Sequence, residues 1–148
     1  MIEQALPIAL ALMRRFEGFY SKPYMCPAGV PTIGFGATYY EDGSWVTLSD
    51  APITRERAET LLLWMVAHKY LPPVIKLCPG TDSPERLAAL IDFTYNLGAN
   101  ALKNSTLRRK VNAGEWGDVP NQLRKWDKAG GRVLRGLTIR REAEASLI

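Results

Sequence analysis

Between Lys22 and Asp50 the chain places Pro23, Pro27, Gly29, Pro31, Gly34, Gly36 and Gly43 among short aromatic and β-branched runs. Proline removes a backbone donor and clashes with the preceding helical turn, and glycine adds backbone entropy, so a helix does not survive such a density of both. The segment predicts a small antiparallel sheet of two or three strands, with the Ala28-Gly29 turn joining Tyr24–Cys26 to Thr32–Phe35. Upstream, Leu6, Ala9, Leu10 and Met13 recur at three and four residues, the spacing of one helical face, so Ile2 to about Arg15 predicts a helix with Pro7 near its start. On this layout Cys26 and Thr32 lie on facing strands close to Glu17, at the end of that helix.

Downstream the signals are helical. Thr54 suits an N-cap for a helix to about Tyr70, whose run Leu61 to Val66 is apolar nearly all round, and Pro72-Pro73 should end or bend it. Ser83-Pro84-Glu85 predicts the start of another helix, with Leu87, Leu90, Ile91 and Thr94 on one face and Gly98 closing it. Shorter helices are expected at about Ser105 to Asn112, Asp118 to Trp126, and Ile139 to Leu147 with Thr138 as cap. Gly130-Gly131 permits a tight approach or a flexible turn between the last two. No repeat or low-complexity tract interrupts the pattern. It predicts one α+β domain over residues 1–148, a mostly helical lobe beside a small β lobe at about 22–50.

Charge is uneven. The formal net charge of +4 divides into −2 over residues 1–98 and +6 over residues 99–148. A basic third suits nucleic acid, an anionic envelope, an acidic polymer or simply a solvated helical face. No aromatic-studded RNP pattern, zinc-finger spacing or P-loop accompanies it, so nucleic acid is not expected as a partner. Cys26 and Cys78 stand far apart with no CxxC or Cys/His cluster, which suggests neither a disulfide framework nor a metal site and fits a reduced compartment. An unperturbed thiol has a pKa of about 8.5, so Cys26 is expected to be mostly uncharged at neutral pH. The apolar run Ala5–Met13 lacks a basic leader and is short of the roughly 20 residues that span a bilayer, so it predicts a core helix.

Glu17 lies between Phe16 and Phe19. Desolvation disfavours a charged carboxylate, so a Glu held against aromatic rings can retain a proton near neutrality and donate it as a general acid. The string FEGFYSKPYMCPAGVPTIGFG, Phe16 to Gly36, resembles the active-site segment of the phage-type lysozymes, glycoside hydrolase family 24. That family's pattern is a Glu in an (F/H)EG(F/L) context, an Asp or Cys nine residues on and a Thr six further, matched by Glu17, Cys26 and Thr32. The resemblance continues through Phe93 to Gly114 and through GLTIRREAEASL near the C-terminus.

The resemblance implies a lysozyme-like fold with a cleft between its lobes. It implies a soluble endolysin that hydrolyses the β-1,4 bond between N-acetylmuramic acid and N-acetylglucosamine in peptidoglycan, with Glu17 as general acid and Cys26 and Thr32 holding the attacking water. No metal or cofactor is expected. The expected partners are glycan strands and, for release from the host cytoplasm to the wall, a holin-type membrane protein; the enzyme itself is expected to be a monomer.

Tyr20, Tyr24, Phe35, Tyr39, Tyr40 and Trp45 could line a sugar groove, Tyr24 and Phe35 foremost, although core packing is the alternative for each. Asn96, Asn104, Ser105 and Thr106 fall in segments that resemble the family's cleft-facing helix and loop, and amides suit N-acetyl groups. Arg140 and Arg141 are expected to be structural, tied to Glu142, Glu144 or a distant acid, and His68 to be structural or superficial. Two rivals stand beside the hydrolase: a lytic transglycosylase working with Glu17 alone, and a non-catalytic envelope- or nucleic-acid-binding module using the basic third.

Overall fold

The computed structural model describes residues 1–148. Helix α1, Ile2–Glu17, buries Ala5, Ala9, Leu12 and Met13 along one stripe and packs chiefly on the central helix of the large lobe. It ends where Gly18 takes φ 70, so Glu17 is its last residue. The chain turns at once into strand β1, Tyr20–Met25, which pairs antiparallel with β2, Pro31–Gly34. Tyr24 faces Thr32, Met25 faces Pro31, and the register shifts between Tyr20 and Tyr24. The turn closes through Cys26 N–H to Val30 O at 3.1 Å and Gly29 N–H to Cys26 O at 2.8 Å. The sheet has two strands, and the rest of the small lobe is loop. Side chains hold that loop: the Tyr40 hydroxyl donates to Asp50 Oδ2 at 2.6 Å, and the Arg57 fork donates to Glu41 at 2.7 and 2.6 Å.

Thr54 caps α2, Arg55–Met65, by accepting from Arg57 N–H. The helix begun at Thr54 gives way by Tyr70, as Pro72-Pro73 suggested, but through a π-helical turn rather than a clean stop. A π-helical turn, Val66–Tyr70, leads into α3, Leu71–Leu77, and both prolines occupy its first turn, where a missing N–H goes unneeded. Helix α4, Pro84–Leu97, capped by Ser83 accepting from Arg86 N–H, is buried continuously from Leu87 to Thr94 and forms the axis of the large lobe. Around it stand α5, Ala99–Lys103, α6, Thr106–Asn112, and α7, Val119–Arg124. A minimal hairpin, β3 Lys128–Ala129 and β4 Arg132–Val133, turns at Gly130-Gly131 before α8, Arg135–Ala145. Helix α8 begins earlier than its sequence suggests: Thr138 lies inside its first turns and donates to Leu134 O rather than capping.

Two apolar clusters divide the work. The larger joins α1, α4 and the later helices and includes Phe35. The smaller, Ile33, Ala37, Val46, Leu61 and Met65, fastens the hairpin lobe to α2. No helix is long and apolar enough to cross a membrane.

Candidate active site

The end of α1 presents Glu17 where the lobes meet, its side chain 24% exposed. Its Oε1 accepts from Arg140 Nη1 of α8 at 2.6 Å. The other edge of the same guanidinium donates to Asp92 of α4, Nε to Oδ2 at 2.9 Å and Nη2 to Oδ1 at 2.8 Å. Asp92 is fully buried and Arg140 nearly so, with the Phe16 ring 5.4 Å from the guanidinium carbon. Arg141 continues the cluster inward: Nη2 donates to Asn96 Oδ1 and Glu144 Oε2, each at 2.9 Å, and Nε stands 2.7 Å from Glu144 Oε1. Burial pushes the Glu144 carboxyl well above the usual carboxylate range, with neighbouring Asp92 adding to the rise. The arginines therefore are structural ties, as expected, but one end of the Arg140 tie is Glu17. A guanidinium faces the acid in addition to the aromatic rings.

On the hairpin side, Gly36 adopts φ +100, and a Cβ there would stand 2.9 Å from Tyr95 Oη and 3.5 Å from Glu17 Oε2. Gly36 thus leaves space for the acid as well as turning the chain. The Tyr95 hydroxyl donates to Phe35 O. Tyr24, Tyr70 and Tyr95 all have raised phenol pKa values, from burial first and with the Glu17 charge contributing in each. Tyr95 of α4 stands across the Gly36 gap from the carboxylate, and Tyr70 of the π turn packs on Tyr95.

Cys26 sits half-buried just past β1, and Thr32 is buried in β2. Hydrogen bonding from the Val30 backbone first, then from the Thr32 hydroxyl, holds the Cys26 thiol below its ordinary range. The shift is toward the thiolate relative to an unperturbed thiol. The Thr32 hydroxyl also donates to Val30 O at 2.9 Å. With one proton it cannot serve that carbonyl and the sulfur together, so the backbone donor is the steadier of the two. Tyr24 lies in the field of both Cys26 and Glu17.

A cavity of about 390 Å³ opens beside Glu17, lined also by Phe16, Asn96, Leu137 and Arg140. Asn96 is thus beside the acid, although its Oδ1 is engaged by Arg141. Asn104, Ser105 and Thr106 line a separate cavity with Gln122, Lys125 and Trp126. Within it the Ser105 hydroxyl is committed, accepting from Arg108 N–H at 3.0 Å and donating to Leu102 O at 2.7 Å, and Thr106 Oγ1 accepts from Arg109 at 2.9 Å. Asn104 remains exposed, its Nδ2 donating to Asn100 O. Phe35 is 2% exposed and packs on Phe19, a core ring and not a groove wall. Tyr24 packs on Tyr20 with the rings tilted and centroids 4.3 Å apart, and it keeps part of its surface open. His68 stacks on Trp64, as befits a structural residue. Asp92, Tyr95 and Gly36 are the site residues the sequence did not single out.

A family model described as Phage lysozyme matches residues 14–144. Over 140 residues the chain is 38% identical to the endolysin of Bacillus phage B103, covering 92% of this chain and 50% of that protein, so it spans half the length of that relative. It is 36% identical over 129 residues to the SAR-endolysin of Bacteriophage PS119, covering 86% of this chain and 73% of that one. Among solved structures, the endolysin from Escherichia coli O157:H7 phage FAHEc1 superposes with a TM-score of 0.84 at 31% identity, covering 95% of this chain and 89% of the other.

Proposed function

The chain belongs to the phage lysozyme family, and from that premise we propose that it is an N-acetylmuramidase of the endolysin type, hydrolysing the β-1,4 bond between N-acetylmuramic acid and N-acetylglucosamine. The observation that carries this reading is the asymmetry around Glu17. Of the three carboxyls in the buried cluster only Glu17 reaches the cleft, since Asp92 and Glu144 are sealed. Its Oε1 is anchored by Arg140, while Oε2 faces the gap left by Gly36. A proton on Oε2 is thereby free to pass to the glycosidic oxygen as the C–O bond breaks.

Cys26 and Thr32 hold the water on the opposite face of the sugar. A thiol of lowered pKa supplies a fraction of thiolate, an acceptor for the water's proton and a negative charge near the developing cation. The water oxygen bonds to the anomeric carbon, its proton leaves toward the hairpin, and the configuration inverts. Tyr24, Asn96, Asn104 and Thr106 remain the proposed sugar contacts; Phe35 and Ser105 would contribute only by shaping their neighbours.

Purified protein acting on isolated peptidoglycan, with mass spectra of the released fragments, tests the reading. Reducing ends are expected, and Glu17→Gln should abolish clearing with the fold intact, because an amide has no acid proton to give. Wild-type clearing by a folded Glu17→Gln protein refutes it. Because position 26 carries no second carboxylate, the transglycosylase remains the specific rival, and anhydro-muramic ends would identify it. Wall retention without any clearing would instead identify a binding module. We further propose that the enzyme works as a monomer and is freed by a hole-forming partner. Lysis blocked by inhibiting export, in cells expressing this chain alone, would overturn that route.

A further inference from the structure

Behind Glu17 a run of buried ionisable groups follows in contact: Arg140, Asp92, Glu144 and Arg141. Asp92 lies on α4, fully buried, where it touches no cavity beside Glu17 and cannot meet a substrate. It nevertheless grips two of the three nitrogens of Arg140, at 2.9 and 2.8 Å. A guanidinium is planar and rigid, so a two-point clamp on its Nε/Nη2 edge fixes where the remaining Nη1 points. It points at Glu17 Oε1, 2.6 Å away.

The clamp also sets charge. A buried arginine demands a counter-anion. Without Asp92 the only carboxylate on Arg140 would be Glu17, and a lone cation at that distance would hold Glu17 ionised, which is the wrong state for an acid. With Asp92 ionised, Arg140 is already balanced and Glu17 meets a dipole. We propose that Asp92 is a positioning residue for the reaction: through Arg140 it aims the anchor of Glu17 and cancels its charge, leaving Glu17 able to carry the proton it donates. This rests on the reading of Glu17 as general acid.

The other groups facing these residues are accounted for. Tyr95 of α4 stands across the Gly36 gap from Glu17, Tyr70 packs on Tyr95, and burial raises the phenol pKa of both, and of Tyr24, above the ordinary range. Asp92 is faced by Arg140, Glu144 and Tyr95, with Arg141 behind Glu144. Cys26 is the other titratable group near Tyr24, its thiol pKa lowered by the Val30 backbone and then by Thr32.

The experiment uses the intact protein as wild type, Asp92→Asn and the double variant Asp92→Asn/Arg140→Gln. Two readouts are taken: the pH profile of kcat on peptidoglycan, and the titration of the Glu17 carboxyl by ¹³C NMR, assigned through Glu17→Gln. In Asp92→Asn the NMR midpoint should move to lower pH by about one unit, and the limb of the rate profile set by the proton-donating acid should move with it. The double variant lacks the cation, so its midpoint should lie above that of the wild type. It removes both charges together, so no unpaired charge is left buried, and so tests the proposal even if the single variant fails to fold. A purely structural role for Asp92 predicts a lower Tm, the same fractional loss of kcat at every pH and an unmoved midpoint, and that result overturns the proposal. A midpoint that moves while the whole rate profile stays supports the charge coupling and overturns Glu17 as the acid.

Discussion

Replacing Gly36 by alanine separates the two demands this position meets. Its φ of +100 strains any L side chain, and its Cβ would stand 2.9 Å from Tyr95 Oη and 3.5 Å from Glu17 Oε2. Such backbone strain costs about 1–3 kcal/mol. The contact with Tyr95 must then be relieved by moving the phenol. That hydroxyl donates to Phe35 O, and the ring packs on Tyr70 with centroids 4.8 Å apart, so it has little room. Losing that bond and leaving the carbonyl without a partner adds about 1–3 kcal/mol. The sum, about 2–6 kcal/mol, corresponds to a fall in Tm of about 4–24 °C for a chain of this size.

Gly43 supplies the control. It has φ +86 and nothing within 4 Å of a built Cβ, so Gly43→Ala carries the strain without the clash. Thermal unfolding followed by circular dichroism should therefore place Gly36→Ala below Gly43→Ala by the clash contribution. In a Tyr95→Phe background, which removes the obstructing oxygen, the gap should shrink, and the coupling in that cycle measures the contact directly. Clearing rates below every Tm should fall for Gly36→Ala alone, because only that methyl lies against Glu17. Equal Tm losses for the two alanines, with no coupling to Tyr95, would refute the argument and return Gly36 to the role of a simple turn residue.

At Cys26, Asp should sustain activity, Ala should lose most of it, and alkylation of the folded protein should inactivate it at a rate whose pH midpoint lies below that of a free thiol, since the Val30 backbone and Thr32 favour the thiolate. A fully active Cys26→Ala protein would leave the water to Thr32 alone. Cys78 carries the opposite shift, burial pushing its thiol up from 9.0 to about 11 against a small lowering by Arg108. A folded-state value above the unfolded one means stability that is complete below the unfolded value and lost as pH rises through the window to about 11, here about 2–3 kcal/mol. Urea unfolding at about pH 8 and about pH 11 should show that loss in the wild type in excess of Cys78→Ala, and identical losses would exclude it.

What the sequence disclosed follows from how far each interaction reaches along the chain. Thr54 and Ser83 were legible as caps because a cap acts within three residues, and Gly18 explains why α1 stops at Glu17. The hairpin was legible from its turn, which left Cys26 and Thr32 at adjacent strand ends. Helix α8 was misplaced because Leu134 offers no side-chain cap, so nothing local marks its start, and α5 is five residues with no cap hydrogen bond either. Pro72-Pro73 marked the start of a new helix at Leu71, whereas the π-helical turn before it, Val66–Tyr70, leaves no mark in composition. The site divides the same way. Glu17, Cys26 and Thr32 lie within one short stretch and can be matched as a pattern, whereas Arg140 is 123 residues from Glu17 and 48 from Asp92. An arginine among neighbouring glutamates predicts an ion pair of some kind, and the i,i+3 pair of Arg141 with Glu144 bears that out. It does not reveal which arginine turns inward. That choice is made by the packing of α8 against α4, which seals Asp92 away from water and leaves it only one cation near enough to balance it.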